Sequence, residues 1–131
     1  MDLEWLPEQL AICRLQPEEP VPAWALAAPF TSITRTDLEL SIVVPVDALP
    51  PTDARRGLHI ESPWRALRIA GTLPFTLTGV IASLTRPLAD ASIPVFVIST
   101  FDTDYILINP ASMPAAARAL TAAGHAVSPP G

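Results

Sequence analysis

Ile93-Pro-Val-Phe-Val-Ile-Ser-Thr-Phe-Asp-Thr-Asp-Tyr-Ile-Leu-Ile108 decides how the rest of the chain is read. Its two apolar runs, Ile93–Thr100 and Tyr105–Ile108, are rich in Val, Ile, Phe and Tyr. Both are too short for helices and suit buried strands. Phe101-Asp-Thr-Asp104 between them carries turn formers and predicts a hairpin connection. Working outward, Trp64–Ala70 is strand-like, Gly71–Thr78 is a loop, and Gly79–Ala91 has helical spacing. On the far side Met113–Ala123 is helical, Gly124 stops it, and His125–Ser128 makes a short last strand. The order is βαββαβ, the split βαβ of ferredoxin-like domains.

Details inside this region follow from spacing. Val80, Ile81, Leu84, Leu88 and Ala91 form one apolar stripe. Pro87 within the helix removes the hydrogen bond to the Ser83 carbonyl and predicts a kink. Ser112 is placed to cap the last helix, with Pro114 in its first turn and Met113 and Leu120 as its larger anchors.

Residues 1–62 present a shortened version of the same order. Leu10–Leu15 reads as a strand, Leu10 and Ile12 on one face, Ala11, Cys13 and Leu15 on the other. Gln16–Pro22 is a Pro/Glu linker, and Pro22–Ala27 suits one or two helical turns. Phe30–Thr36 and Leu38–Val44 are strands about a tight turn at Thr36-Asp37. In the second, Leu38, Leu40 and Ile42 alternate with Glu39, Ser41 and Val43. Thr52–Arg56 has room for a turn or two, and Leu58–Ser62 for a fourth strand. The elements recur in order while the residues do not. The predicted fold is α+β: tandem ferredoxin-like modules, 1–62 (degenerate) and 63–131, antiparallel sheets with helices on one face. A lone half would leave an open strand edge, so association of halves or of copies is expected.

Composition narrows the function. The chain has 131 residues, 50% apolar and only 16% charged, which suits a packed core rather than disorder. Its 16 prolines gather at the joints between elements. A net charge of −5 with scattered arginines argues against a nucleic-acid partner. No apolar run approaches the ~18 residues of a membrane helix, so no membrane role is expected. Met-Asp-Leu-Glu-Trp5 is acidic where a secretory leader is basic, and Cys13 is the single cysteine. Both agree with the cytoplasm.

Catalytic chemistry finds no constellation. Cys13 lies mid-strand and reads as a buried structural thiol, while His59 and His125 read as surface or strand-end residues. No HExxH, paired CxxC, P-loop or GxGxxG occurs, so no catalytic residue, metal or cofactor is expected and the chain reads as a non-enzyme. Two features suit a small ligand. Thr78-Gly79 at a helix start offers free N–H groups and a positive dipole end to a carboxylate; alternatively Thr78 merely caps the helix and Gly79 relieves crowding. Asp102 and Asp104 are either turn residues or partners for an ammonium or guanidinium.

Taken together, Trp64-Arg-Ala-Leu-Arg-Ile-Ala-Gly71, Phe75-Thr-Leu-Thr-Gly-Val-Ile-Ala-Ser-Leu84, Pro87-Leu-Ala89 and Ile98-Ser-Thr-Phe-Asp-Thr-Asp-Tyr-Ile-Leu107 resemble an ACT domain. More narrowly they resemble the small two-ACT proteins related to arginine-sensing CASTOR proteins and to aspartokinase regulatory domains. The likeness reaches back to Phe30-Thr-Ser-Ile-Thr-Arg-Thr-x-x-Glu-Leu-Ser-Ile-Val43. It implies a homodimeric regulatory or sensor protein that binds a free amino acid; the alternative is an interaction module that keeps the fold and binds no ligand. It also implies a site. Thr76, Leu77, Thr78, Gly79 and Val80 match the loop that holds the ligand's backbone, Thr100, Phe101 and Asp104 match the pocket motif, and Ser32 and Ile33 match a first-half contribution. Thr103 departs from the pattern, since the arginine sensor carries an aromatic residue there.

Overall fold

Short strands and helices alternate along the computed structural model, which describes residues 1–130. In order they are β1 (Asp2–Leu15), α1 (Ala23–Leu26), β2 (Ser32–Arg35), β3 (Leu40–Pro45), β4 (His59–Ile69), α2 (Val80–Asp90), β5 (Phe96–Ser99), β6 (Asp104–Ile108), α3 (Met113–Ala122) and β7 (Ala126–Val127). The chain divides into two compact units, one of Met1–Pro7 with Arg65–Gly131, the other of Glu8–Trp64.

In the first unit the expected βαββαβ order is present as β4-α2-β5-β6-α3-β7. β5 and β6 form the hairpin, Ser99 opposite Asp104 and Phe96 opposite Leu107. β6 also pairs antiparallel with β4, Arg65 opposite Ile108 and Arg68 opposite Tyr105. The other side of β4 takes the start of β1, where the Ala70 N–H donates to the Asp2 carbonyl at 2.9 Å. β7 then joins β1 in parallel, Asp2 opposite Ala126. Residues 2–6 therefore lie between the first and last strands of the module.

Pro7 hid this strand from the sequence reading, which begins it at Leu10. Proline donates no ladder hydrogen bond, and Pro7 falls between the residues of β1 paired to β7 and those paired to β3. The two units consequently part company with the division at residue 62: Met1–Pro7 packs with residues from the far half of the chain.

Alternation then sorts the side chains. Leu3 and Trp5 of β1, Leu67 and Ile69 of β4, and Ile106 and Ile108 of β6 share one face. Val80, Leu84 and Leu88 of α2 and Ala116 and Leu120 of α3 cover that face. Of the predicted helical stripe, Ile81 is only half-buried and Ala91 lies exposed beyond the helix end. On the opposite face the Arg68 guanidinium donates from Nε to Glu4 Oε1 at 2.8 Å, and hydrogen bonding to Glu4, then to Tyr105, raises its pKa.

Pro87 does not end α2. The Ser83 carbonyl that it leaves without a helical donor instead receives the Nε2–H of His125 at 3.0 Å. A carbonyl only accepts, so this nitrogen carries the proton. Ser112 makes no side-chain cap; Asn109 Oδ1 accepts from the Ala111 N–H at 2.9 Å one turn earlier.

In the second unit β3 lies between β1 and β2, both antiparallel to it, Cys13 and Ile33 each facing Ile42. Ala11, Cys13, Leu40, Ile42 and Val44 bury one face against Ala25 of the single-turn α1, which is the reduced helix expected of a degenerate module. Leu38 is no part of the buried face and is 72% exposed. It sits in the turn, where Thr36 Oγ1 accepts the Leu38 and Glu39 N–H groups at 3.1 and 3.2 Å. Val43, assigned by alternation to a polar face, is 2% exposed, so both faces of β3 are buried there.

Candidate functional site

Period-two alternation along β6 places Asp104 on the face of Ile106 and Ile108, the face that α2 covers. Asp104 is thus the first residue of a strand rather than a turn residue, and it is 9% exposed. The Ser99 hydroxyl donates to its Oδ1 at 2.6 Å.

The hairpin tip is tied down by its own threonines. The Thr100 N–H donates to the Thr103 carbonyl at 2.9 Å, and the Thr103 N–H donates to Thr100 Oγ1 at 3.3 Å. Thr103 is 7% exposed and its hydroxyl donates to the Ile69 carbonyl at 3.0 Å. It is a structural residue fixing the tip against β4.

Facing the tip is the loop of residues 71–79. The Leu73 N–H donates to the Asp102 carbonyl at 2.7 Å, and the Phe75 and Phe101 rings meet edge to face at 4.7 Å between centroids. The loop ends at Gly79, whose φ of +77° is left-handed and favours glycine. Gly79 is itself the N-cap of α2, and no side chain caps the helix, so Thr78 does not do so. The first N–H groups of α2 are left to solvent or a ligand.

These parts enclose a surface cavity of about 550 Å³. Of the residues singled out by sequence, Leu77, Gly79, Val80, Thr100, Phe101 and Asp104 line it. Thr76 and Thr78 are exposed on the same loop outside the lining, and Ser32 and Ile33 belong to β2 of the other unit and do not line it. Sequence reading missed Leu73, Phe75, Ile81 and Thr85, which also line it. The available signal was Phe75, a large apolar residue in a stretch otherwise built for turning.

Comparison with known proteins agrees with the fold. Residues 59–122 match the family model of the ACT domain, and a separate model of an N-terminal domain matches residues 8–52. Residues 59–122 thus match an ACT domain. It is similar to the human protein CASTOR3P, 29% identical over 93 residues that make up 65% of this chain and 57% of that protein. The matched stretch thus spans little more than half of that relative. Among solved structures, a protein from Agobacterium tumefaciens is 38% identical over 97% of this chain and 91% of its own, with a TM-score of 0.86. The regulatory subunit of aspartate kinase from Thermus flavus shares the fold at 15% identity and a TM-score of 0.64, over 92% of this chain and 95% of its own.

Proposed function

We propose that the protein is a regulatory module that binds a free amino acid and performs no chemistry itself. The observation that carries this reading is the cavity, where a helix start without a side-chain cap and the buried Asp104 carboxylate line one wall system. The two are complementary to a zwitterion. N–H groups at the start of α2 suit the ligand carboxylate, and Asp104 suits the ammonium. Binding would act by differential affinity for two states of an assembly, the homodimer in the cytoplasm being the simplest. No helix of the described residues is long and apolar enough to cross a membrane.

Asp104→Asn tests the site. Asparagine still accepts from Ser99, so folding is retained, while the ligand ammonium loses its counter-charge at about 1.5–3 kcal/mol. Calorimetric titration should show about a ten- to hundredfold weaker affinity. Unchanged binding would place the ligand elsewhere. Light scattering at micromolar concentration tests the homodimer, and a mass of 14.0 kDa would exclude it.

A further inference from the structure

Two ionisable side chains line the cavity, Asp102 and Asp104, and no arginine or histidine does. Asp104 has one oxygen engaged by Ser99 and is 9% exposed. Asp102 lies exposed at the hairpin tip. An amino acid brings one ammonium and one carboxylate, and Asp104 and the start of α2 answer these. A basic side chain would then add a second cation with no buried acid left to meet it. An acidic one would face the two aspartates. Leu73, Phe75, Leu77, Val80, Ile81 and Phe101 offer neither charge a partner, and the exposed Asp102 would meet a cation only through a solvent-screened pair worth little.

Exposure points the same way. Phe75 and Phe101 are 75% and 77% exposed and Leu77 is 47% exposed, so the rim presents large apolar surface to water. A contiguous exposed patch of this kind marks a contact site. Thr103, with its hydroxyl committed to Ile69, offers no ring for a guanidinium to stack on. We infer that the ligand is an amino acid with a large uncharged apolar side chain, seated against Phe75 and Phe101. This rests on the reading of the cavity as an amino-acid site.

The test is thermal shift on the full chain with each of the twenty amino acids at equal millimolar concentration, followed by calorimetry, with phenylalanine, leucine and methionine set against arginine, lysine and glutamate. The first three should raise the melting temperature and the last three should not. Phe75→Ala and Phe101→Ala remove exposed rings, so both should keep the ligand-free melting temperature while weakening the apolar ligand about tenfold. Binding of arginine, lysine, glutamate or a small amino acid as tight as that of phenylalanine overturns the inference and leaves the sensor reading standing. So does unchanged affinity for the apolar ligand in both phenylalanine variants. Silence from all twenty amino acids overturns the sensor reading together with the inference.

Discussion

Cys13 shows how far one buried residue controls a measurable property. It is 1% exposed, and burial pushes its thiol up to about 11, with Arg55 opposing to a smaller extent. The folded state therefore holds the thiol proton more tightly than the unfolded chain, whose cysteine titrates at its ordinary 9.0. The contribution is fully present below pH 9 and is lost as pH rises towards 11. At about 1.4 kcal/mol per unit, the loss amounts to ~3 kcal/mol across the window. The chain has no lysine to overlap this window. Urea unfolding at pH 8, 9.5 and 11 should show this fall, and Cys13→Ala should flatten it. The same burial predicts that alkylating reagents leave the native thiol untouched at pH 8 and label it on unfolding. The sequence shows a mid-strand cysteine, and its inertness follows from that position. Asp104 is the contrary case. In a stretch reading Asp-Thr-Asp, both acids look like turn residues, and only the register of β5 on β6 assigns Asp104 to the buried face and leaves Asp102 outside.

At the scale of elements, α2 and β7 are joined through a defect. Pro87 deprives the Ser83 carbonyl of its helical donor, and the Nε2–H of His125, just before β7, supplies one at 3.0 Å. Removing it by His125→Ala should cost about 0.5–1.5 kcal/mol, because the carbonyl retains partial access to water. Pro87→Ala restores a backbone N–H and relieves the penalty of an interior proline. In that background the bond from His125 to Ser83 becomes redundant, while the contact of its Nδ1 with the Met1 ammonium at 3.2 Å remains. A double-mutant cycle read by urea unfolding should therefore give a coupling of about 0.5–1 kcal/mol, with the His125→Ala cost reduced by that much when residue 87 is alanine. Additive effects would show that the contact carries no stability. The broken bond was legible in the sequence, since proline rules state which carbonyl is orphaned. Its repair was not, because His125 lies 42 residues away and only the fold brings the two together. Likewise the strands about the 100–103 turn were legible from composition, whereas Leu38 followed the alternation of β3 and yet falls in the Thr36 turn.

At the scale of the whole molecule, the order of elements suggests a C-terminal module complete from residue 63 onward, and the structure gives that module a strand from the other end of the chain. β7 finds its sheet partner in β1, and Leu3 and Trp5, 2% and 8% exposed, fill the core beside Leu67, Ile69, Ile106 and Ile108. A fragment of residues 63–131 would lose both side chains and leave β7 without that neighbour. It is also of a size at which a single core is marginal even when complete. Such a fragment should show no cooperative thermal transition, and adding a synthetic peptide of residues 1–9 should restore one, visible by circular dichroism. In the full chain, Trp5→Ala should cost about 3–5 kcal/mol, as for other aromatic truncations in a packed core. The competing outcome is informative, because β7 could close directly onto β4 and regenerate the ordinary ferredoxin-like order. A fragment that melts as cooperatively as the full chain would show that closure, and the strand contributed by residues 2–6 would then be dispensable to the unit that carries the cavity.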